Sequence, residues 1–591
     1  MAIILLPLVL LPLALAIPHV SRASKFNSTI EWRSCPEVKD LVDASNGVEG
    51  APFDCATLPV PLDYEANDGV LLDLALFRVN ATKEPVLGTV LFNPGGPGGT
   101  GGENLPIQGP DIVETLGGQY HVVSWDPRGT GNTLPFNCNH TQFASTLSKR
   151  DEAAHLINTN VTEYFLSEGW EASVAYADAC FEQMQETGRL IGTAYTARDM
   201  LAIVDALSEG GQLRYWGLSY GTALGNYFAA LFPDRIERML LDANMNPWEY
   251  RRGSYGPYPQ DSDKTFNAFL DECIKNAPNC SLATSTNASS SADIIEAINA
   301  SPNIGFAELA ASASTSTADY YALLISKFWV FRRLYDPIGW PTLAEDLAFL
   351  LAGKIPESLL PANTTGDAPP KYNALAPNAL DGIRCSDALW SGTTDPLEIL
   401  DDVEKSANTS LDFADTLFTS TWACAAWKLP AKERLEGPFE HETSFPILFV
   451  NGLFDPATPA AFAVNASMGY KDSKVLLHNG YGHGLMANPS ECVKGYVSRY
   501  FMDGELPEES GEDGEICERD QGPWEMYADR IAAESSATES AGSETSSASG
   551  STTSAASSAT STVTSGAMGR HTPFIHYVWL TAGVLGLAAL L

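Results

Sequence analysis

The sequence predicts an α/β fold in which helices cover a mostly parallel sheet and a large, mainly helical insertion precedes the last strands. Three observations indicate this fold. Short apolar strands alternate with helical stretches. The pentapeptide Gly217-Leu218-Ser219-Tyr220-Gly221 joins an apolar strand to a helix. An aspartate and a histidine follow the last two predicted strands.

The predicted strands are short apolar segments bounded by turn residues. In chain order they are Val60–Tyr64, Val70–Val79, Gly88–Phe92, Tyr120–Trp125, Leu213–Trp216, Ile236–Asp242, Phe445–Val450 and Lys474–Leu477. Helices are predicted over Thr196–Leu207, before the strand that leads into the pentapeptide, and over Thr222–Phe232, after it. This alternation is typical of a parallel sheet, because parallel neighbours need long crossover connections.

Ser219 stands at the centre of a G-x-S-x-G turn and is the candidate nucleophile. Between a strand and a helix, this turn has strained dihedral angles that project the serine hydroxyl from the sheet. Gly217 and Gly221 are needed because a Cβ at either position would collide with the neighbouring strand or helix. The alternative is an ordinary strand-to-helix turn with a solvent-facing serine.

A glycine-rich loop, N-P-G-G-P-G-G over residues 93–99, follows the strand Gly88–Phe92. It matches neither of the glycine motifs that bind nucleotide phosphates. Glycines in this position of a serine hydrolase let backbone N–H groups approach a negatively charged oxygen without side-chain obstruction. We therefore expect Gly95, Gly96 and the N–H group of Tyr220 to form an oxyanion hole.

Asp126 and Arg128 follow the predicted strand Tyr120–Trp125 and lie in a loop that contains glycines. A catalytic role is one interpretation of these charged residues. A buried structural ion pair that holds the loop is the interpretation we favour.

Residues 244–440 interrupt the alternation and are predicted to form a mostly helical lid inserted between two strands of the sheet. The aromatic residues of the segment 320–340 are interpreted as lid core, with a few of them lining the substrate pocket. These residues are Phe328, Trp329, Phe331, Tyr335 and Trp340.

Asp455 and His483 complete a candidate catalytic triad with Ser219. Asp455 lies just past the strand Phe445–Val450, and His483 lies in a glycine loop past the final predicted strand. The chain order Ser, Asp, His is that of the α/β-hydrolase fold, which we therefore predict. His478 is a rival base, but it lies within or at the end of a strand and lacks the glycine setting.

With these motifs in place, the chain resembles the tripeptidyl aminopeptidase-like serine hydrolases, which belong to the prolyl-aminopeptidase group of α/β hydrolases. The resemblance covers about Cys35 to Cys517, and the glycine-rich loop is its most specific part. It implies release of short peptides or single residues from free N-termini. Some family members are esterases, so a small acyl ester is the alternative substrate, and a catalytically silent surface adhesion module is a third hypothesis. The mechanism requires no cofactor or metal.

Ten cysteines follow the apolar start of the chain, and none has the spacing of a zinc site. An even number in a secreted chain favours disulfides. Proximity along the chain favours the pairs Cys35–Cys55, Cys138–Cys180, Cys273–Cys280, Cys385–Cys424 and Cys492–Cys517, although spacing alone leaves other connectivities open.

Composition and modification signals point to the cell exterior. A formal net charge of −38 disfavours binding to nucleic acid. Ten N-x-S/T sequons indicate glycosylation of a secreted protein. They begin at Asn27, Asn80, Asn139, Asn160, Asn279, Asn287, Asn299, Asn363, Asn408 and Asn465.

The two ends of the chain carry targeting signals. The apolar run 3–16 ends in A-L-A and predicts a signal peptide. At the other end, no basic residue follows the apolar C-terminus, which favours a GPI anchor over a transmembrane helix. The predicted segments are a signal peptide (1–16), a first core part (17–243), the lid (244–440), a second core part (441–531), a Ser/Thr-rich stalk (532–566) and a GPI-attachment signal (567–591).

Overall fold

The fold is described from a computed structural model. The described residues are 29–35, 53–66, 68–138, 165–301, 328–354, 356, 376–410, 412–414, 418–511, 514 and 516–544. The predicted signal peptide, the GPI-attachment signal and the sequons at Asn27, Asn139, Asn160 and Asn363 lie outside these residues. None of the helices within them has the length and apolar character needed to cross a membrane.

A ten-stranded sheet forms the centre of the described chain. Its strands are β1 (Arg33–Ser34), β2 (Phe53–Pro61), β3 (Leu71–Val79), β4 (Gly88–Asn93), β5 (Tyr120–Trp125), β6 (Leu213–Leu218), β7 (Ile236–Asp242), β8 (Leu448–Phe454), β9 (Lys474–Tyr481) and β10 (Ile516–Glu518). They lie in the order β1-β2-β3-β5-β4-β6-β7-β8-β9-β10. Strands β1, β2, β3 and β5 pair antiparallel in turn, and all remaining neighbours pair parallel.

Helices cover both faces of the sheet and fill the insertion. They are α1 (Gly101–Thr115), α2 (Trp170–Met184), α3 (Thr193–Leu207), α4 (Tyr220–Leu231), α5 (Pro247–Arg252), α6 (Ser262–Lys275), α7 (Ser281–Thr286), α8 (Ser291–Ala300), α9 (Trp340–Leu351), α10 (Ala379–Asp387), α11 (Leu400–Ala407), α12 (Phe418–Ala426), α13 (Ala460–Ser467), α14 (Glu491–Asp503) and α15 (Pro523–Glu544). Helix α15 extends into the predicted stalk.

The order of strands explains where a site can form. Strand β4 lies between β5 and β6, so the chain leaves β4 in one direction and later returns on its other side. Crevices open at such reversals, beyond the carboxyl ends of the strands. The glycine loop leaves the end of β4 and Ser219 leaves the end of β6, and Asn93 pairs with Gly217 at this point.

The strand predictions are confirmed for most of the parallel sheet and fail at its margins. The bounds of β5 and β7 agree with the predicted ones, whereas β8 begins and ends later than predicted. The predicted strand Val60–Tyr64 has the wrong bounds, because β2 begins at Phe53 and ends at Pro61. Strands β1 and β10 were not predicted, since two or three residues carry no periodic signal.

The insertion between β7 and β8 packs its own apolar core. Trp329, Phe331 and Trp340 are buried in that core, as the aromatic pattern predicts, while the side chain of Phe328 is 38% exposed. The same cluster includes Tyr481, at the end of β9, together with residues just beyond β8. The insertion and the loops that carry Asp455 and His483 therefore share one core.

Five disulfides join the pairs that proximity favours: Cys35–Cys55, Cys138–Cys180, Cys273–Cys280, Cys385–Cys424 and Cys492–Cys517. No cysteine of the described residues is free.

Arg128 forms a buried ion pair as predicted, but Asp126 is the wrong partner, since Asp126 accepts the N–H groups of Gly102 and Asn132. Arg128 pairs instead with Asp199 of helix α3, with Nε donating to Oδ2 at 2.7 Å and Nη2 donating to Oδ1 at 2.9 Å. Both side chains are fully buried. The carbonyl oxygens of Pro61 and Leu62 accept from the remaining guanidinium N–H groups, at 2.6 and 2.5 Å. The partner comes from a distant helix, which no local spacing indicates.

We predict that replacing Asp199 with Asn destabilises the fold by about 3–5 kcal/mol, because it leaves the Arg128 charge buried without a counter-ion. The measurement is the urea midpoint of unfolding. Lys471→Gln is the matched control, since Lys471 pairs with Glu442 on the surface, with side-chain exposures of 60% and 71%. Exposed pairs contribute about 0–1 kcal/mol. Equal midpoints for the two variants would contradict the prediction.

Candidate active site

Ser219 lies in a strained turn between β6 and α4. Its backbone has φ 58° and ψ −120°, a region that non-glycine residues avoid and that functional sites retain when the surroundings enforce it. The Ser219 N–H group donates to the carbonyl oxygen of Asp242 at 2.9 Å, and Thr222 Oγ1 donates to the Ser219 carbonyl at 2.6 Å. These bonds hold the turn from both sides.

The two flanking glycines are required by close contacts. A Cβ on Gly217 would lie 2.4 Å from the carbonyl oxygen of Gly221. A Cβ on Gly221 would lie 2.7 Å from the carbonyl oxygen of Asn93, which belongs to the neighbouring strand. The collisions expected from the sequence are therefore present in the fold.

The glycine loop covers the turn. Gly95 has φ 95°, and a Cβ on it would lie 2.8 Å from Ser219 Cβ and 3.1 Å from the Tyr220 nitrogen. The N–H group of Gly95 donates to Asn93 Oδ1 at 3.0 Å. Gly96 follows, also at positive φ. The loop thus brings its backbone against the candidate nucleophile, with the Gly95 N–H group already engaged.

His483 and Asp455 are in direct contact. His483 Nδ1 lies 2.9 Å from Asp455 Oδ2 and 3.0 Å from Oδ1. The Asp455 carboxylate is buried, and it also accepts the N–H groups of Ala457 and Thr458 at 2.8 and 2.9 Å and the Thr458 hydroxyl at 2.8 Å. These bonds orient the carboxylate toward the imidazole.

The rival base His478 lies elsewhere. It is buried inside β9, opposite Cys517 of β10, and the structure brings His483 rather than His478 to Asp455. Burial lowers the pKa of His478 to about 4.

The insertion contacts the loop that carries His483, and the sequence did not indicate this contact. The His483 N–H group donates to the carbonyl oxygen of Tyr335 at 2.9 Å, and the centres of the two rings are 4.7 Å apart. Gly482 has φ 86°, and a Cβ on it would lie 2.5 Å from the same carbonyl oxygen. Tyr335 was predicted as lid core. Its contact with His483 is long-range, so its place in an aromatic segment was the only signal.

Asp242 is a second residue that the sequence did not indicate. Its carboxylate is buried at the end of β7 and accepts the Leu485 N–H group at 3.1 Å and Trp216 Nε1–H at 3.2 Å. Its carbonyl accepts the Ser219 N–H group. Burial raises the pKa of Asp242 to about 7. Asp242 therefore forms hydrogen bonds to both the Ser219 turn and the loop that carries His483.

Within the part of the chain that the structure describes, no group of three or more His, Cys, Asp or Glu side chains has a geometry that could hold a metal ion.

Comparison with known proteins agrees with the fold. The family model of the α/β hydrolase fold matches residues 88–276, and the model of the TAP-like protein family matches residues 409–517. Serine protease Hip1 of Mycobacterium tuberculosis is 26% identical over 505 residues, covering 82% of this chain and 90% of that protein.

Two further relatives differ in their named activity. Tripeptidyl aminopeptidase of Streptomyces lividans is 27% identical over 515 residues, covering 82% of this chain and 86% of that protein. Carboxylesterase B of Mycobacterium tuberculosis is 26% identical over 489 residues, covering 80% of this chain and 88% of that protein.

The chain is a serine hydrolase with the α/β-hydrolase fold. Within that class it is related to the tripeptidyl aminopeptidases and to the Hip1 serine proteases, which confirms the resemblance that the motifs indicate.

Proposed function

We propose that the chain is an aminopeptidase that releases short peptides or single residues from free N-termini, with Ser219, His483 and Asp455 as its catalytic triad. The observation that carries this proposal is the Nδ1–carboxylate contact of His483 and Asp455, together with a serine turn of nucleophile geometry covered by the glycine loop. The tripeptidyl aminopeptidase relatives support the peptide substrate.

The reaction is acyl transfer. Ser219 Oγ attacks the scissile carbonyl carbon while His483 Nε2 takes the hydroxyl proton, and Asp455 holds the imidazole through Nδ1–H and stabilises its charge. Collapse of the tetrahedral intermediate breaks the C–N bond as His483 returns the proton to the leaving amine. Water, deprotonated by the same histidine, then attacks the acyl-enzyme and releases Ser219.

The negatively charged oxygen of the intermediate needs backbone donors. Asn93 Oδ1 already occupies the Gly95 N–H group, so we assign the oxyanion hole to the N–H groups of Gly96 and Tyr220. Gly95 contributes by its missing side chain, since a Cβ there would press on Ser219 and Tyr220.

An aminopeptidase also needs a negative group for the substrate ammonium, and Glu103 is our candidate. It lies in the first turn of α1, directly after the glycine loop, and its Oε2 accepts from Thr100 Oγ1 at 2.9 Å. Burial raises the pKa of Glu103 to about 7, and the nearby Asp126 acts in the same direction. A cation favours the ionised form of such a carboxylate, so binding of the substrate ammonium would stabilise its charge.

We predict that Ser219→Ala and His483→Ala each lower kcat by roughly 10⁴–10⁶, and that the double variant is little worse than either. The residues act as a unit, because Ser219 becomes a strong nucleophile only when the histidine takes its proton. Single-turnover and steady-state rates on a tripeptide anilide provide the measurement. A Ser219→Ala protein that keeps more than about a tenth of wild-type activity would refute the triad.

The alternative function is a carboxylesterase on small acyl esters, which the carboxylesterase B relative favours. A third candidate, a catalytically silent adhesion module, has less support, because adhesion does not require the strained serine turn or the His483–Asp455 contact.

We predict that acetylating the N-terminus of a tripeptide anilide lowers kcat/KM by at least about 10–100-fold. The lost contact between ammonium and carboxylate contributes about 1.5–3 kcal/mol, and 1.4 kcal/mol corresponds to a factor of ten. Glu103→Gln should remove this discrimination, whereas Glu114→Gln, at the exposed end of the same helix, should preserve it. Equal rates for free and blocked substrates, with faster cleavage of a neutral ester, would favour the esterase.

We also propose that the protein is secreted, glycosylated and held at the cell surface by a GPI anchor. The five disulfides are compatible with an extracellular location. Within the described residues, the sequon asparagines at 279, 287, 299, 408 and 465 are exposed, as glycosylation requires. The Asn80 side chain is partly buried and donates to Asp54 at 2.9 Å.

We predict that phosphatidylinositol-specific phospholipase C releases the protein from intact cells and that the mature chain ends near Ser565. The apolar tail is removed when a GPI anchor is attached, so peptides from Phe574 to Leu591 should be missing from the mature protein. Mass spectrometry of the C-terminal peptide tests both points. Recovery of the tail residues would show a spanning helix.

A further inference from the structure

The hydroxyl group of Tyr220 belongs to a buried polar cluster that the proposed mechanism does not use. The cluster contains Tyr220, Thr193, Tyr250 and Asp387, whose side chains are all 1% exposed or less. Thr193 Oγ1 lies 2.7 Å from the Tyr220 hydroxyl and 2.5 Å from Asp387 Oδ2. The Tyr250 hydroxyl donates to the same carboxylate oxygen at 2.8 Å, and the Thr193 N–H group donates to Oδ1 at 2.9 Å.

The protons of this cluster can be assigned without conflict. An ionised Asp387 accepts from the Thr193 hydroxyl, the Thr193 N–H group and the Tyr250 hydroxyl. Because the Thr193 proton is directed at Asp387, the Tyr220 hydroxyl is the donor in its bond to Thr193. Every donor then has an acceptor, and a fully satisfied buried network fixes the positions of its members.

The cluster connects the insertion to the start of α4. Asp387 is the last residue of α10, which belongs to the insertion, and Tyr220 is the first residue of α4, directly after the candidate nucleophile. Thr193, which lies between them in the chain of hydrogen bonds, begins α3 of the core. The hydrogen bond at the far end of the Tyr220 ring restrains the side chain and, through Cα, the first residue of α4.

The other end of α10 contacts the glycine loop. A Cβ on Gly98 would lie 3.4 Å from the Leu380 nitrogen and 3.6 Å from Ala379 Cβ. One helix therefore lies against the loop with Gly96 and reaches Tyr220, in the turn, through Thr193. The disulfide Cys385–Cys424 joins this helix to α12 of the insertion.

We propose that helix α10 positions the oxyanion hole, with Asp387 and Thr193 holding Tyr220 on one side and Ala379 and Leu380 supporting the glycine loop on the other. This inference rests on the triad chemistry proposed above. Asp387, Thr193 and the Tyr220 hydroxyl are positioning residues, since they act on the reaction only through the Tyr220 N–H group.

Positioning of the oxyanion hole and a purely structural role have different effects on the kinetics. Donors of an oxyanion hole are aimed at the oxygen of the transition state, so displacing one lowers kcat and leaves ground-state binding nearly unchanged. A purely structural cluster would instead affect stability, with no selective loss of affinity for a mimic of the charged oxygen.

The test compares Tyr220→Phe with Tyr227→Phe in the full chain. Tyr227 lies on the same helix and is equally buried, and its hydroxyl has no hydrogen-bond partner among the described residues. The substrate is an unblocked tripeptide anilide. The inhibitor is a peptidyl trifluoromethyl ketone, which adds to the serine and places a negatively charged oxygen in the hole.

For Tyr220→Phe we expect kcat to fall about 10–100-fold with KM changed by less than about twofold. Affinity for the trifluoromethyl ketone should fall by a similar factor, while Tyr227→Phe should behave as the wild-type protein. A Tyr220→Phe protein with wild-type kcat and inhibitor affinity would overturn the proposal, and so would an equal loss in both variants.

A second pair of variants covers the case in which Tyr220→Phe does not fold. Thr193→Val removes the bridging hydroxyl at nearly constant volume, whereas Thr193→Ser retains it and should rescue most of the lost kcat. Equal kcat values for folded Val and Ser variants would overturn the proposal. Failure of the triad itself is recognised separately, because Ser219→Ala would then remain active whatever the variants of Tyr220 and Thr193 do.

Discussion

The backbone of Ser219 is the constraint on which the rest of the site depends. A serine at φ 58° and ψ −120° is unfavourable unless neighbouring groups hold it there. The fold supplies them on every side: the carbonyl of Asp242, the hydroxyl of Thr222, and glycines wherever a Cβ would intrude. The strain is thus balanced by contacts from β4, β7 and α4, so the candidate nucleophile cannot relax without disturbing the sheet beneath it.

The insertion supports residues of the candidate site. The carbonyl of Tyr335 accepts the N–H group of the catalytic candidate His483, and Asp387 reaches the residue after Ser219 through one threonine. Tyr481, which ends the strand before His483, is buried in the core of the insertion. Motions of the insertion as a whole would therefore disturb the proposed base and the proposed oxyanion hole together.

The sequence predicted the parts of the molecule that depend on local chemistry. The Ser219 turn needs glycines at fixed spacing, and Asp455 and His483 follow strands whose apolar runs are visible, so the chain alone predicts all three as candidate site residues. The partner of Arg128 could not be identified, because Asp199 comes from a helix that folds against it from far along the chain.

The same reason explains the missed roles of Asp242, Tyr335 and Asp387. Each acts through contacts between elements distant in sequence, and each is an ordinary residue in its local context. The marginal strands β1 and β10 were missed for another reason. They are held by pairing with a neighbour, and their own two or three residues show no strand pattern.

Both edges of the sheet end in these very short strands, and each edge is fastened by a disulfide. Cys35 directly follows β1 and is joined to Cys55 of β2, while Cys517 of β10 is joined to Cys492 of helix α14. An open sheet edge is a template on which other chains can add strands, and short, covered edges suppress that addition. Thiol reductants should therefore promote self-association at the edges of the sheet first, and inhibit catalysis at Ser219 only later.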